Sequence, residues 1–409
     1  MSQRTIVWVA VFTVIAMMFW RLPQFMADED AVHRTYRVLL EANALIKQQY
    51  VHDAPDADLA EGAVRGMLRR LDPYCAYVTA DQREWLDRHT QGEYVGIGIE
   101  VGMRFGEPTI IAPIDDSPAD RAGLRTADVI VSIDGREAQS MTMLEIDKCM
   151  VGQRRTDVTL RIRRAGEIEP REFVIPRGPV SIRTVRGWEG GDGRATHVLG
   201  ERGRIRYVRI TDFNEITTRD FDAVLAEFGP DVDGLVLDLR ANPGGLMHEA
   251  VRMVDRFIDR GLILQTVTRR RVVTSYEATA PGTDTRTPLA VLMDGGSASA
   301  AEIVAGALQA HGRAVVVGSR SFGKGSVQHL IPLSDGRSAI KLTVAYYRLP
   351  NGRIIHRTAE NERTPEWGVW PDIEVSPAAL PEEHSIFRDP LEDPVIRAAY
   401  DALTAAPAS

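Results

Sequence analysis

The sequence predicts a multidomain α+β protein whose largest part is an α/β core built around a buried sheet. Three observations support this: an apolar N-terminus followed by helical periodicity, a middle region with alternating apolar residues, and a C-terminal half in which apolar strands alternate with helices. At 409 residues the chain is long enough for two or three domains. We place the segments at 1–27, 28–91, 92–178, 179–378 and 379–409.

The first segment contains an apolar run over residues 6–20 that only Thr13 interrupts, with Arg4 before it and Arg21 after it. Its length of about 15 residues is long for the core of a signal peptide and short for a membrane span. Flanking arginines lengthen the effective span by reaching toward the interface. No small-x-small cleavage site precedes Asp28. We therefore expect an uncleaved membrane anchor, with the bulk of the chain outside the cytoplasm in the cell envelope.

Two helices are predicted next. Apolar residues between Val32 and Tyr50 recur close to helical spacing, interrupted at Asn43. A second helix should run from about Asp58 to Arg70 and end before Pro73, because proline cannot continue a helix.

From about Gly92 the apolar period changes to two, which indicates strands. Residues 94–101 should form one strand, and a short helix after Ser117 should close at Gly123. Further strands are expected over Thr109–Ala112, Val129–Ile133 and Val158–Ile162. Residues 92–178 therefore read as a small β-rich module.

This module resembles a PDZ domain. The matching motifs are Ser117-Pro118-Ala119, Ala122-Gly123-Leu124, Asp128-Val129-Ile130 and Ile133-Asp134-Gly135. The sequence departs from the family at Ala127, where a glycine is usual, and at Arg155-Thr156, where a Gly-Thr pair is usual. Both departures fall in turns, so they put in doubt the conformation of these loops rather than the fold of the module.

The resemblance implies that an extended peptide adds as a strand and that its C-terminal carboxylate meets backbone N–H groups of a glycine-flanked loop. That loop corresponds to Tyr94, Val95, Gly96, Ile97, Gly98 and Ile99. The expected partners are protein or peptide substrates with free C-termini. The alternative is that these glycines only shape a turn.

The C-terminal half alternates apolar strands with amphipathic helices, which predicts a largely parallel sheet. Strands are expected over 205–210, 234–239, 289–293 and 313–317, helices over 247–258 and 303–308, and a last helix over 393–403. Chemistry is expected where such strands end.

Two segments at such strand ends, 295–302 and 321–328, carry the candidate chemistry. Ser299 opens a helix, whose N–H groups and positive potential stabilise an alkoxide and an oxyanion. The alternative is a capping box, since Ser299 stands three residues before Glu302. Lys324 would have to be neutral to act as a base, and lowering a lysine pKa by about three units costs about 4 kcal/mol. The alternative is an exposed lysine.

Two other chemistries compete with a serine nucleophile and a lysine base. Residues 318–324 fit the spacing G-x-x-x-x-G-K of a phosphate loop, but Gly325 stands where serine or threonine is required, and the residues after it alternate as in a strand. A Ser-His-Asp triad stays open, because His248, His311 and His329 all lie near strand ends.

The order of motifs along the chain resembles the carboxyl-terminal processing proteases, the tail-specific serine peptidases of type S41. The matching segments are Asp238–Gly245, Gly296–Ile303, Phe322–Gln328, Leu71–Tyr74, Lys341–Ala345 and Pro371–Ile373. The resemblance runs from about Val32 to Val375 and implies a core of the crotonase/Clp type.

The resemblance also implies roles for particular residues. The family's nucleophile corresponds to Ser299, its general base to Lys324, 25 positions later, and its glutamine to Gln328. The oxyanion donors correspond to the backbone N–H groups of Ala300 and Gly245.

Composition excludes some other functions. The net charge of −8 argues against nucleic acid as the main partner. The two cysteines, Cys75 and Cys149, are too few for a disulfide framework and lack metal-ligand spacing, so no metal or cofactor is expected. We predict a serine endopeptidase that forms an acyl-enzyme. The alternative is a catalytically silent, PDZ-bearing peptide-binding scaffold, and a homo-oligomer is compatible with either.

Overall fold

The computed structural model describes residues 36–189, 195–201, 203–229, 231–268, 271–279, 282–375 and 389–405. The chain divides into two units, residues 1–77 and 78–409. The expected anchor over residues 6–20 lies outside the described part. Within the described part, no helix combines the length and the apolar character needed to cross a bilayer.

The first unit contains two described helices, α1 over 36–49 and α2 over Asp56–Leu68. Helix α2 begins and ends two residues earlier than the periodicity predicts. The turn after it is stabilised by Asp72, whose Oδ1 accepts the N–H groups of Tyr74 at 2.8 Å and Cys75 at 2.9 Å. Strand β1, Ala76–Val78, spans the boundary between the units.

The helices of the second unit are α3 (Ala80–Gln91), α4 (Pro118–Arg121), α5 (Met143–Met150), α6 (Thr217–Glu227), α7 (Met247–Asp255), α8 (Ala300–Ala310) and α9 (Pro394–Ala405). Its strands up to residue 199 are β2 (Glu93–Gly96), β3 (Ile99–Arg104), β4 (Glu107–Pro113), β5 (Val129–Ile133), β6 (Arg136–Glu137), β7 (Asp157–Arg163), β8 (Arg171–Pro176), β9 (Gly178–Ser181), β10 (Val185–Arg186), β11 (Trp188–Glu189), β12 (Ala195–Thr196) and β13 (Val198–Leu199). The later strands are β14 (Ile205–Ile210), β15 (Gly234–Asp238), β16 (Leu262–Val267), β17 (Val272–Glu277), β18 (Leu289–Met293), β19 (Ala314–Gly318), β20 (Ser326–Pro332), β21 (Ala339–Arg348) and β22 (Ile373–Glu374).

The β-rich module forms an antiparallel sheet in the order β3-β4-β5-β7-β8, with β6 paired to β5. The single strand predicted over 94–101 is wrong. The structure has two strands there: β2 pairs with β9, whereas β3 pairs with β4. The chain changes partner at Ile97 and Gly98, because Gly98 has φ +77°, a conformation that ends extended pairing. Ile97 is fully buried in the core of the module.

In the two turns whose sequence departs from the PDZ pattern, the backbone has the left-handed conformation that glycine adopts most readily. Ala127 and Arg155 both have φ +69°, in the left-handed region. A side chain in this region costs roughly 1–2 kcal/mol because its Cβ crowds the carbonyl oxygen that follows. The departures therefore place strain in the turns and leave their shape unchanged.

We expect the Ala127→Gly variant to be more stable than the natural chain by about 0.5–1 kcal/mol, because removing the strain outweighs the added freedom of the unfolded glycine. Ala127 is exposed, so no packing is lost. Urea unfolding of both proteins measures the effect. The control is Ala122→Gly, at an ordinary helical φ of −77°, which should lose stability. A lower urea midpoint for Ala127→Gly would contradict the argument.

The core sheet has the order β10-β14-β15-β18-β19-β22, with β13 on β14. Within this sheet the strands are parallel from β14 through β15, β18 and β19 to β22, as predicted. Residues of α7 and α8 pack with one set of strand residues around Phe257, and residues of α9 pack with the opposite set around Tyr207. The predicted last helix is thus observed as α9, on the face that carries Tyr207.

A second, antiparallel sheet joins β17, β16, β21 and β20 in that order. Strand β20 begins at Ser326, immediately after the segment that carries Lys324. The backbone N–H of Tyr347 on β21 donates to the Gly325 carbonyl at 2.7 Å, which holds the lysine segment against this sheet.

Candidate active site

Three segments meet at one edge of the core sheet. They follow the carboxyl ends of the neighbouring parallel strands β15, β18 and β19. The N–H of Ala298 donates to the Asn242 carbonyl at 2.9 Å, and the N–H of Phe322 donates to the Ser297 carbonyl at 3.0 Å. Parallel strands place such segments side by side, so this edge is where a site is expected.

Ser299 stands at the turn between β18 and α8 in a strained conformation, with φ 54° and ψ −113°. Non-glycine residues in such regions cost about 1–3 kcal/mol and cluster at active sites. A serine on a sharp strand-to-helix turn is typical of nucleophiles in hydrolases. The Ala300 N–H, at the start of α8, has no hydrogen-bond partner within the described ranges. It is therefore available to an oxyanion.

The neighbouring serines have structural partners instead. The Ser297 hydroxyl donates to the Leu239 carbonyl at 2.8 Å and accepts the Asp294 N–H at 2.9 Å. The Ser326 hydroxyl accepts the Gln328 amide at 2.6 Å. Both hydroxyls stabilise the loops in which they lie. This supports Ser299 as the candidate nucleophile.

Gly244 and Gly245 have distinct surroundings. Gly244 has φ +108°, and a Cβ there would lie 2.7 Å from the Cβ of Ser299, so this position needs glycine. Its N–H already donates to the Asn242 side chain at 2.8 Å. Gly245 has φ +130°, and in the part of the chain that the structure describes its N–H has no partner. This supports Gly245 rather than Gly244 as the second oxyanion donor, which stays a prediction.

Glu302 joins the two candidate segments. Its carboxylate is fully buried and accepts four hydrogen bonds. Oε1 accepts the Ser321 hydroxyl at 2.5 Å and the Gly323 N–H at 2.7 Å. Oε2 accepts the N–H groups of Ser299 and Lys324, both at 2.8 Å. The backbone nitrogens of the nucleophile and base candidates are therefore no more than twice that distance apart.

The sequence assigned Glu302 only the role of a helix cap, and one of its four bonds is such a cap. The other three come from a segment about twenty residues further on, which the S-x-x-E pattern does not reveal. Burial raises the pKa of Glu302, and the hydrogen bonds from Ser321, Gly323, Ser299 and Lys324 oppose that rise. With four donors directed at it, the geometry is that of an ionised carboxylate.

The Lys324 side chain is largely removed from solvent. Burial lowers the pKa of its ammonium, the neighbouring Lys341 lowers it further, and Glu302 opposes the shift. A lowered pKa is the direction that a lysine base requires, because only the neutral amine accepts a proton. The alternative of an exposed surface lysine is not what the structure shows.

We expect the Lys341→Met variant to move the acid limb of the kcat/KM-against-pH profile to higher pH. Lys341 disfavours the charged form of Lys324, so its removal raises the pKa of Lys324, and a higher pH is then needed to obtain the neutral base. Lys148→Met is the control, because Lys148 of the PDZ-like module pairs with Asp81 on α3. An unchanged limb, or one at lower pH, would show that Lys341 does not tune the base.

Gln328 is the third predicted catalytic side chain. A β-bulge separates Val327 from Gln328 on β20. The Gln328 amide donates to the Ser326 hydroxyl at 2.6 Å and to the Ser326 carbonyl at 3.2 Å. The Gln328 amide is thus directed at Ser326. The catalytic role that the resemblance implies for Gln328 stays a prediction.

The rival chemistries find less support. His311 caps the far end of α8, about 18 Å along the helix from Ser299, and its Nε2 contacts the Leu262 carbonyl at 2.7 Å. His248 lies beside Glu249, and His329 is exposed on β20. The strand after Lys324 is not the helix that a phosphate loop needs. Among the described residues, no group of metal-ligating side chains is placed to hold an ion.

A cavity of about 760 Å³ lies beside the predicted peptide-binding loop. Of the loop residues, Tyr94 and Ile99 line it, facing α5, whereas Ile97 is in the core. Burial raises the pKa of Tyr94 to about 12, so its phenol stays protonated. Asp212 also lines the cavity, and its Oδ1 would lie 2.5 Å from a Cβ at Gly245. The cavity is therefore lined both by residues of the PDZ-like module and by a residue that neighbours the glycine turn.

Sequence comparisons agree with this architecture. Residues 204–375 match peptidase family S41, residues 109–164 match the PDZ domain, and residues 22–82 match the N-terminal domain of the activating protease CtpB. These ranges cover the parallel strands of the core sheet and most of the β-rich module.

Two characterised relatives are similar over most of the chain. A carboxy-terminal-processing protease of Bartonella bacilliformis is 37% identical over 83% of this chain and 74% of its own length. The carboxy-terminal processing protease CtpB of Bacillus subtilis is 35% identical over 78% of this chain and 65% of its own length.

Solved structures that are similar to this chain include two proteases. An S41 protease from Bacteroides fragilis covers 88% of this chain and 96% of its own, with 16% identity and a TM-score of 0.50. The photosystem II D1 C-terminal processing protease covers 88% and 90%, with 29% identity and a TM-score of 0.47. The sequence similarity and the matched domains together show that the chain belongs to the carboxy-terminal processing serine proteases of peptidase family S41.

Proposed function

We propose that the protein is an endopeptidase that cleaves with a Ser299–Lys324 dyad. The observation that carries the proposal is the shared Glu302 carboxylate, which binds the backbone of the nucleophile candidate and of the base candidate through one oxygen. The strained backbone of Ser299 and the lowered pKa of Lys324 support the same assignment.

In this mechanism neutral Lys324 takes the proton of the Ser299 hydroxyl as Oγ attacks the peptide carbonyl. The N–H groups of Ala300 and Gly245 receive the oxyanion. Protonated Lys324 then gives its proton to the departing amine, leaving an acyl group on Ser299. Water, deprotonated by the same lysine, releases the acyl group and restores the enzyme.

The PDZ-like module would select substrates by their C-terminal tails. The cavity lined by Tyr94 and Ile99 is also lined by Asp212, the neighbour of Gly245, which supports the approach of a captured tail from this side. With the apolar run over residues 6–20 as an anchor, the substrates would be exported or membrane-associated proteins.

The test uses the full chain in detergent micelles with an unstructured protein in versions that differ only in their last few residues. Mass spectrometry maps the cuts. We expect cleavage by the natural chain that depends on those last residues, and no cleavage by Ser299→Ala. Cleavage that survives both Ser299→Ala and Lys324→Ala would overturn the dyad. No cleavage of any unfolded protein would favour the peptide-binding scaffold.

The proposed anchor is tested separately. The full chain and a chain beginning at residue 28 are mixed with lipid vesicles and separated by flotation. We expect only the full chain to float with the vesicles in high salt. Equal behaviour of the two chains would contradict the anchor.

A further inference from the structure

A second cavity, of about 310 Å³, is lined by two arginines on adjacent strands, Arg186 on β10 and Arg209 on β14. The two residues are directly opposite each other in the antiparallel pairing of these strands. Opposite residues in such a pair have Cα atoms about 5 Å apart, and their side chains leave the sheet on the same face. Two positive charges are therefore held side by side at this cavity. We call Arg186 and Arg209 the arginine pair.

The arginine pair lacks a partner within the described residues. Neither side chain takes part in a hydrogen bond or an ion pair there, and the Nε of Arg209 is buried without an acceptor. Like charges directly opposite each other destabilise a sheet, and a buried donor without an acceptor loses its hydration for nothing. The arrangement is therefore unfavourable unless an anion joins it.

The carboxylates nearby do not supply that anion. Asp238 Oδ2 accepts the Tyr207 hydroxyl and the Nη2 of Arg240, both at 2.6 Å. Asp393 Oδ2 accepts the Nη1 of Arg240 at 2.8 Å. Glu189 also lines the cavity, but it is exposed and, in the part of the chain that the structure describes, it forms no ion pair with either arginine. The third arginine of the cavity, Arg240, is thus neutralised, whereas the arginine pair is not.

The chemistry and size of the cavity indicate its ligand. A guanidinium presents planar N–H donors that match a carboxylate. A volume of 310 Å³ is at the lower end for ligand sites and suits one acidic side chain. Arg186 and Thr211 line this cavity and also the cavity of 760 Å³ beside the predicted peptide-binding loop. A peptide in the larger cavity would therefore lie next to the arginine pair.

We propose that the arginine pair binds the carboxylate of an acidic side chain of the substrate and so determines specificity. The inference rests on the proposed function, peptide cleavage at Ser299. Phe213 forms a parallel bridge with Gly245, the proposed oxyanion donor, and Arg209 stands four residues before Phe213. Their Cα atoms are at most about 14 Å apart, a distance that an extended peptide covers in about four residues. The acidic residue is thus expected within a few residues of the cleaved bond.

The test moves a glutamate, one position at a time, through the unstructured substrate, with glutamine at the same position as the uncharged counterpart. We expect kcat/KM to be roughly 10-fold higher for glutamate at one position near the cut, at the low end of what a hydrogen bond to a charged group contributes. Arg209→Met should abolish this ratio and lose no stability in urea, because it removes the repulsion from Arg186.

Arg206→Met is the matched control, since it removes an equal charge from the same strand. Three residues along a strand, Arg206 lies on the opposite face from Arg209, and its guanidinium packs on the Phe228 ring at 5.2 Å. This variant should keep the natural preference for glutamate. If Arg209→Met does not fold, Arg186→Met replaces it with the same expectation, because Arg186 is exposed.

Three results would overturn the inference. The first is equal kcat/KM for every glutamate and glutamine pair, and the second is a preference that survives in the folded arginine variants. The third is thermal stabilisation by inorganic phosphate that Arg209→Met removes, without any preference for glutamate, which would assign the arginine pair to a free anion. If the natural chain cleaves no peptide, the proposed function fails by itself. Fluorescence polarisation of the labelled peptides then decides the inference: tighter binding of a glutamate version supports it, and equal binding overturns it.

Discussion

The Lys324→Met variant should keep its fold and lose about 10²- to 10⁴-fold in kcat/KM, the range that a general base contributes. Methionine has similar length and suits the buried surroundings of Lys324, but it cannot accept the Ser299 proton. The acid limb of the pH profile should also disappear, since the group that titrates there is gone. Single-turnover cleavage of a fluorogenic peptide between pH 6 and pH 10 measures both effects.

The control for this loss is Lys341→Met, which removes an equal charge from the same neighbourhood and should keep most of the activity. The result that would contradict the dyad is a Lys324→Met enzyme with an unchanged acid limb. The titrating base would then be another group, and His248 and His329 would be the first candidates to replace by alanine.

The architecture of the core was predictable because its signals are local. The strand over 234–238 is a nearly continuous apolar run that ends at Asp238, as expected of a strand buried on both faces, and the run over 289–293 is apolar throughout. Each ends at a cluster of glycines and small polar residues. Parallel topology then brings those ends together, so the meeting of the Ser299 and Lys324 segments followed from pattern alone.

The features that the sequence did not reveal depend on contacts between distant residues. Glu302 looks like any helix cap, because the pattern cannot show that a later segment turns three donors toward it. The change of partner at Gly98 was missed because the apolar alternation continues through it, and only the positive φ ends the pairing.

Glu302→Gln should be the most damaging conservative substitution outside the dyad. Glutamine keeps one oxygen, but its NH₂ group would face two hydrogen-bond donors. These are either the N–H groups of Ser299 and Lys324 or the Ser321 hydroxyl and the Gly323 N–H. At least one pair of donors loses its acceptor and the two segments separate. A displacement of about 1 Å at reacting groups costs about 10²-fold in rate. We therefore expect kcat to fall about 10²-fold or more.

Stability should fall with activity, since hydrogen bonds to charged groups contribute about 1.5–3 kcal/mol each. The control that separates the two effects is Glu249→Gln. Glu249 is equally buried, and its carboxylate accepts the Thr218 N–H at 3.0 Å and pairs with Arg252 at 2.7 Å, away from Ser299. It should lose stability and keep its kcat when assayed well below its melting temperature.

Urea unfolding and single-turnover cleavage of both variants distinguish a purely structural role of Glu302 from a role in positioning the dyad. If Glu302 only stabilises the fold, Glu302→Gln and Glu249→Gln will lose similar stability and both will cleave at the natural rate at low temperature. If Glu302 sets the distance between nucleophile and base, only Glu302→Gln will lose kcat. In that case fluorophosphonate labelling of Ser299 will slow in proportion, because the labelling step needs the same base at the same distance.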